Sequence, residues 1–460
     1  MRARFVFSVV PVPTVLIALG AAFFLTPEQA QSEVEARPLA QWPTFTGPTL
    51  RDGTWTRDVE FFVADHFPAR EAFVSFTFAV RAHFGVVGET TIYRGHGGAL
   101  GGFDAPLRDE PPMSDAGPAI DVAGLEVSDV ESPAPPDPAL APRPELPAGP
   151  VTVEGGVLIS QGRGMMLLSA TDQTARAFAS VLNLYGATLT TAKVYAVMVP
   201  GAGAFFLPPR EAHRSADELH NLEVMKGALD AKVTWADVAG ELSHHLEEDL
   251  YYRTDHHWTG LGAYYGYRAI AQVAAFMPLD REDLHWRKAQ QPTLGSLYRI
   301  TQDATLKRAP DVTEYPAAPV AYESVSYQGD RLETPVRKPF VDDKAQGYLV
   351  YLGGDAPLMV AKSTSRNGRR ALLVKNSFGN PLAPLLLPHF EEVVVIDYRM
   401  YSGTVRELVR RFHITDVFVQ NSTLTANDSH HLNRLRLVLS TPTPPPPADA
   451  GAPPSKEESP

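Results

Sequence analysis

Apolar positions along the chain repeat in two ways, at helical spacing in some stretches and as short continuous runs in others. Val59, Phe62, Val63 and Phe67, then Phe73, Phe76, Val80 and Phe84, recur at helical intervals, so Asp58 to Phe84 reads as helix broken at Pro68. Asp65 and His66 at that break read as a helix junction with polar caps. Residues 85–102 carry short strand and turn signals with several glycines. After Pro150 the pattern becomes alternating. Val157–Ile159 and Met165–Leu168 read as short strands, and Thr171–Leu189 as a helix with Ala175, Phe178, Val181, Leu182 and Tyr185 on its apolar face. Lys193–Val199 is a β-rich run ended by Pro200, and Glu211–Lys226 is helical in pattern. Ala231–Leu250 mixes an extended start with a helical end, 260–276 is a helix, and 280–345 is polar and irregular.

The last third is the clearest. Ala371–Val374 is a buried strand, Leu382–Phe390 a short helix with prolines in its opening turns, and Glu391–Ile396 a strand. Gly403–Phe412 is an amphipathic helix and Asp416–Val419 a strand. Strands and helices alternating with short connections imply a parallel sheet with helices on both faces.

Composition adds the boundaries. Residues 103–150 hold twelve of the 41 prolines and ten carboxylates against Arg108 and Arg143. Such a segment has little to bury and reads as a disordered acidic insertion. Residues 441–460, with eight prolines, read as a disordered tail. These two segments carry −8 and −2 of the net −12, so the rest is almost neutral and no basic stripe points to nucleic acid. The chain has no cysteine, which excludes disulfides, thiolate catalysis and zinc–thiolate sites.

At the N-terminus, Arg2 and Arg4 precede an uncharged apolar run from Phe5 to Leu25. That run can cross a bilayer core with the arginines cytoplasmic, or serve as a signal cleaved near Ala30. Either way the remainder is expected on the periplasmic or extracellular face, anchored in the inner membrane or secreted. The expected organisation is 1–30 anchor or signal, 31–102 the N-terminal helical part of the main domain, 103–150 insertion, 151–440 α/β domain and 441–460 tail.

The chemistry concentrates in Tyr251-Tyr252-Arg253-Thr254-Asp255-His256-His257-Trp258-Thr259. Each polar group there needs a partner if buried. In an extended segment Asp255 and His257 share a face and His256 points away, which assigns His256 a structural role. An aspartate so placed can hold an imidazole in one tautomer beside a nucleophile. The nucleophile candidate is Ser377 in Asn376-Ser377-Phe378-Gly379-Asn380, just past the strand 371–375. Ligands bind beyond the carboxyl ends of parallel strands, and a serine at a strand-to-helix turn is exposed there. A serine in that place also commonly caps the helix. The first glycine of the Gly-x-Ser-x-Gly elbow is replaced by Lys375. Ser377 as nucleophile, His257 as base and Asp255 as its orienting group form the proposed set. Trp258 packs or lines the cleft. The competing reading is a metal site, but adjacent histidines rarely converge on one ion and no His-Glu-x-x-His helix is present. No metal or cofactor is therefore expected. His244–His245 and His430–His431 read as solvated pairs.

The segment Tyr252 to Thr259, with Gly262-Ala263-Tyr264, resembles the signature of the bacterial DHHW family. Glu35-Ala36-Arg37-Pro38-Leu39-Ala40, Asp65-His66-Phe67-Pro68-Ala69-Arg70, the Ser377 segment and Val395-Ile396-Asp397-Tyr398-Arg399 fit the same family. The resemblance covers about residues 33–103 and 151–425. That family is similar to the AlgX/AlgJ group of SGNH-hydrolase-like proteins, which O-acetylate alginate in the periplasm. The resemblance implies a three-layer, flavodoxin-like α/β fold with a parallel sheet. It also implies an Asp-x-His and serine triad falling on Asp255, His257 and Ser377. The implied activity is O-acetyl transfer, or ester hydrolysis, on an envelope or extracellular polysaccharide, with a membrane-bound acyl donor as partner. A non-catalytic polysaccharide-binding or assembly factor on the same fold is the alternative. Two positions depart from the pattern. Asn376 stands where DHHW proteins commonly have Asp, and the Gly-x-Asn block of ordinary SGNH enzymes has no clean counterpart, Asn421 being nearest. Asn376, Asn421 and Trp258 are the oxyanion or cleft candidates.

Overall fold

The structure is a computed structural model and describes residues 150–327 and 335–440, together with 54–67 and scattered positions between 23 and 50. The apolar run 5–25 apart from Phe23, the second helical half 68–84, the stretch 85–102, the insertion 103–149 and the tail 441–460 lie outside the described residues. Among the described residues no helix is long and apolar enough to cross a membrane. The chain divides into two compact units, and the second, Ile92–Tyr298 with Asp303–Pro460, carries the candidate site.

In the first unit, helix α1 spans Thr54–Asp65 and so begins earlier than the apolar spacing suggested. Its end is closed by His66, whose ring stacks on Phe62 and whose Nδ1 donates to the Phe62 carbonyl at 3.0 Å. The second helix of the expected junction lies outside the described residues.

The second unit opens with an antiparallel meander, β1 (Val151–Glu154), β2 (Val157–Ser160) and β3 (Arg163–Met166). Helix α2 (Asp172–Thr188) follows, opened by a reciprocal box in which the Thr171 and Thr174 side chains cap each other's backbone. Strand β4 (Lys193–Val199) leads to α3 (Glu218–Gly227), β5 (Val233–Ala236), α4 (Val238–Ser243) and α5 (Gly260–Ala274). After a long excursion come β6 (Tyr322–Tyr327), β7 (Val336–Arg337) and β8 (Leu358–Ser363). The chain closes with β9 (Arg370–Lys375), α6 (Leu382–Leu386), β10 (Glu392–Asp397), α7 (Val405–Arg411), β11 (Asp416–Ser422) and α8 (Ser429–Ser440).

One eight-stranded sheet organises these elements, in the order β7-β6-β8-β10-β9-β11-β4-β5. The five strands from β10 to β5 are parallel, as the alternation implied, while β8, β6 and β7 extend one edge antiparallel. The antiparallel edge corrects the expectation of irregular chain over 280–345. In β6 the small polar residues Ser324 and Ser326 interrupt the apolar run, so its strand character was hidden until β8 paired with it. The four inner parallel strands, β10, β9, β11 and β4, bury both faces, which is why they read as largely continuous runs rather than alternations, whereas the edge strand β5 leaves Thr234 exposed. Along β4, Val194, Ala196 and Met198 join the core under α2, α3, α7 and α8. Tyr195, Val197 and Val199 join the opposite core with α4, α5 and α6. This is the expected three-layer α/β arrangement, and it brings the carboxyl ends of β4, β9, β10 and β11 to one edge.

Candidate active site

The loop from Leu250 to Thr259 is not extended. It doubles back on itself, with Thr259 N donating to Leu250 O at 2.8 Å, Tyr252 N to His257 O at 3.2 Å, and a bridge between Tyr251 and Trp258. Asp255, His256 and His257 therefore sit on a bend, and the face-sharing argument from alternation does not apply. What brings acid and imidazole together is a local turn. Asp255 Oδ1 accepts from the backbone N–H of His257 at 3.0 Å and from its ring Nδ1 at 2.7 Å. The other carboxylate oxygen accepts from Ser296 N at 2.8 Å. Gly295 has to be glycine, because a Cβ there would lie 2.3 Å from Asp255 Cβ. Asp311 fixes the approach to the bend by accepting from the backbone N–H groups of Arg253 and Thr254, at 2.7 and 2.8 Å, and from the Thr254 hydroxyl.

Strand β9 delivers the serine. It ends at Lys375, and the chain turns through a single 3₁₀ turn at Ser377–Gly379. Ser377 Oγ lies 2.8 Å from His257 Nε2, although 120 residues separate them. An ionised carboxylate only accepts, so Asp255 selects the tautomer with the proton on Nδ1 and leaves the Nε2 lone pair for the serine hydroxyl. Ser377 and His257 are 3% and 5% exposed, so these bonds act in a poorly hydrated setting where they are stronger than in water. The structure thus brings together the three residues singled out from the sequence.

The other candidates take different places. His256 does not point away from His257. Its ring lies 3.9 Å from that of His257, and its Nδ1 bonds Ser296 Oγ at 2.6 Å. Trp258 is fully buried and does not line a cleft. Its indole N–H donates to the Phe378 carbonyl at 2.9 Å, tying the histidine loop to the serine turn. Asn376 caps the serine turn. Its Oδ1 accepts from Phe378 N at 3.1 Å, and its Nδ2 donates to Thr425 Oγ1 at 2.8 Å and Ser422 Oγ at 3.3 Å. In an elbow the N–H after the nucleophile serves the oxyanion; here Asn376 occupies it. Asn421 is fully buried, accepts from Tyr398 and Thr425, and its Nδ2 has no partner among the described residues. The donor atoms of Asp255, His256 and His257 all fall within 4.8 Å of one another, closer than adjacent histidines were expected to come.

Two features were not singled out from the sequence. The first is Tyr348, whose ring stacks on His257 and whose hydroxyl donates to the Ser377 carbonyl. The second is a buried charge cluster beneath the serine turn. Lys375 Nζ bonds Asp355 at 2.7 Å and Asp397 at 2.8 Å, and Arg399 bonds both carboxylates. Burial alone would raise the Asp355 carboxyl, but the charges of Lys375 and Arg399 outweigh it and hold the group far below the usual carboxylate range. Asn380 Nδ2 joins the cluster through Asp355 at 3.0 Å. Lys375 and the motif from Val395 to Arg399 were visible in the sequence, but Asp355, the residue that joins them, carried no pattern.

A sequence profile of the DHHW protein family matches residues 167–396, half of the chain. The chain belongs to the DHHW family. Among solved structures it is similar to a DHHW family protein from Eubacterium siraeum, at 26% identity and a TM-score of 0.58 over 63% of this chain and 98% of that one. It is similar to PatB1 from Bacillus cereus, solved with a sulfonyl adduct, at 18% identity and a TM-score of 0.51 over 62% of this chain and all of that one. The O-acetyltransferase domain of Pseudomonas putida AlgJ follows at 12% identity and 0.35, over 62% of this chain and 98% of that one. No curated protein matches the sequence. This DHHW chain thus shares its α/β fold with a solved member of its family.

Proposed function

We propose that this DHHW protein transfers acyl groups through Ser377, and that the reaction is O-acetyl transfer to, or ester hydrolysis on, an envelope or extracellular polysaccharide. The 2.8 Å contact between Ser377 Oγ and His257 Nε2, continued at 2.7 Å to Asp255, carries the reading. In the reaction, Oγ attacks the acyl carbonyl while Nε2 takes its proton, and the leaving group departs with that proton. A sugar hydroxyl, or water, then gives its proton to Nε2 and attacks the acyl-serine, which releases the acylated product and restores the hydroxyl. Asp255 stays ionised and stabilises the imidazolium formed in each half. Acetyl as the acyl group, polysaccharide as the acceptor and a membrane-bound protein as acyl donor follow the motif resemblance given above, and placement outside the inner membrane follows from the apolar run 5–25 behind Arg2 and Arg4.

The test is turnover of p-nitrophenyl acetate by the full chain, with mass spectrometry of the covalent adduct. Acetyl or sulfonyl label on Ser377, lost in Ser377→Ala and slowed in His257→Ala, supports the reading; equal turnover in both variants refutes it. Mass gain on an oligosaccharide acceptor separates transferase from esterase. The second reading, a polysaccharide-binding or assembly factor, is favoured by the occupied Phe378 N–H, which removes one elbow-type oxyanion donor. Glycan binding without turnover, unchanged in Ser377→Ala, is its signature.

A further inference from the structure

The base and the nucleophile reach each other from distant parts of the chain, and one side chain touches both. Tyr348 sits in a short 3₁₀ turn, Gly347–Val350, in the excursion before β8. Its ring lies 3.9 Å from that of His257 with the planes 10° from parallel. Its hydroxyl donates to the main-chain carbonyl of Ser377 at 2.8 Å. Neither contact belongs to the Ser377–His257–Asp255 series itself. The turn holding Tyr348 begins at Gly347, which has φ +56°, and a Cβ there would come within 2.8 Å of Thr293 Oγ1. The turn that carries this ring thus opens on a left-handed backbone with little room for a side chain. Tyr252 and Tyr351 pack edge-on against it, at centroid distances of 6.3 and 5.4 Å.

We infer that Tyr348 is a positioning residue for acyl transfer: its ring fixes the plane of the His257 imidazole, while its hydroxyl holds the backbone of the nucleophile. This inference rests on the acyl-transfer reading. Fixing the ring plane keeps Nδ1 on Asp255 and Nε2 on Ser377 at once, because rotation about the ring bond would break both contacts together. An aromatic face against an imidazole attracts the positive charge that the ring carries after taking the serine proton. The groups that face the ring are Asp255 and His256 on its own loop, the Ser377 hydroxyl and the Phe378 ring from the turn after β9, and Tyr348 itself. Burial, followed by the neighbouring Tyr351 and Tyr252, keeps the Tyr348 phenol protonated well above its ordinary range, so it serves as a neutral donor throughout.

Two substitutions divide the roles. Tyr348→Phe keeps the stack and loses the hydroxyl, and Tyr348→Leu loses both. In the full chain, Y348L is expected to lower kcat/KM for p-nitrophenyl acetate by about 10- to 100-fold, the scale of a misplaced base. The loss should fall on kcat with KM little changed, because a misplaced base weakens the chemical step rather than binding. Y348F is expected to lose about 3- to 10-fold in kcat, the scale of one lost hydrogen bond. The proton NMR signal of the His257 Nδ1–H, held by Asp255, reads the ring's placement without turnover, and it should persist in wild type and Y348F and broaden in Y348L. If wild type does not label or turn over, the acyl-transfer reading fails, and loss of that signal in Y348L still supports the stacking role. A folded Y348L with wild-type rate and signal overturns the inference. A Y348F with wild-type kcat overturns the hydroxyl half. If Y348L does not fold, Tyr348→Met replaces it in the same assays.

Discussion

Asp255 Oδ1 accepts two hydrogen bonds from one residue, the ring Nδ1 and the backbone N–H of His257, at 2.7 and 3.0 Å. The carboxylate therefore fixes the imidazole at both ends of its side chain. Removing the charge while keeping the shape separates orientation from folding. Asp255→Asn can present its amide N–H₂ to the ring, which favours the wrong tautomer. We expect kcat to fall by about 100-fold or more with the melting temperature within a few degrees of wild type. Unchanged kcat in a folded variant would show that His257 needs no orienting acid.

The same pair shows how much was legible in the sequence. Residue types and spacing identified Asp255, His257 and Ser377, and the strand–turn position of Ser377 followed from the β9 pattern. The reason given for the Asp255–His257 pairing was the face rule of an extended strand, whereas the chain makes a bend. His256 shows the consequence, since on a bend its ring approaches His257 instead of pointing away. The inner parallel strands were readable because burial on both faces makes them largely continuous apolar runs. Strand β6 was not, because pairing with β8 rather than its own composition makes it a strand. Tyr348 and Asp355 were not readable either, because each acts through partners distant in sequence. His66 closes the first helix, as a cap would, while the far side of the expected junction lies outside the described residues.

Metal dependence has a direct test. Asp255, His256 and His257 bring donor atoms within 4.8 Å. Both ring nitrogens of His257 are already engaged, one by Asp255 and one by Ser377. A metal bound through His257 would have to displace one of those contacts. We expect esterase activity to survive exhaustive chelation, and His256→Phe, which keeps a ring beside His257, to retain activity within about 10-fold. Loss on chelation with recovery on adding zinc would reassign the cluster as a metal centre.

Acid should weaken the fold at His389. Burial, followed by the nearby charge of Arg369, lowers its pKa from the ordinary 6.5 to about 4. The unfolded chain takes up this proton below about pH 6.5 and the folded chain only near pH 4, so protonation favours unfolding in between. The contribution is fully present above pH 6.5 and declines as pH falls toward 4. In His389→Asn that part of the decline should vanish, seen as a smaller difference between urea midpoints at pH 5 and pH 7.5. An unchanged difference would place the acid sensitivity elsewhere.

Lys375 is the centre of the buried charge cluster, fully enclosed between Asp355 and Asp397. Removing one charge from a buried cluster leaves the rest unbalanced, here two carboxylates against Arg399, which costs up to about 3–5 kcal/mol. Lys375→Met keeps the stem and removes the charge, so the fold should lose stability on that scale at neutral pH. The cost should shrink in acid, where Asp355, held by Arg399 but no longer by Lys375, protonates more readily. A variant equally destabilised at pH 4 and pH 7 would mean that lost packing, not lost charge, sets the effect.

Trp258 joins the two halves of the candidate site, and its removal tests whether they are mechanically coupled. Its ring edge fills the space beside Gly266 of α5, where a Cβ would come within 2.6 Å of the indole. Its N–H holds the Phe378 carbonyl, one residue past the serine. Trp258→Phe loses that bond and leaves a void, which should cost about 2–4 kcal/mol of stability. If the indole also sets the distance between His257 and Ser377, activity should fall by more than the loss of folded protein explains. The measurement is kcat at a temperature where both proteins are fully folded. Gly266→Ala gives the converse strain, pushing the indole from its slot without removing it. Wild-type kcat in both variants would show that the β9 turn and the 250–259 loop hold their places independently, and that Trp258 contributes packing alone.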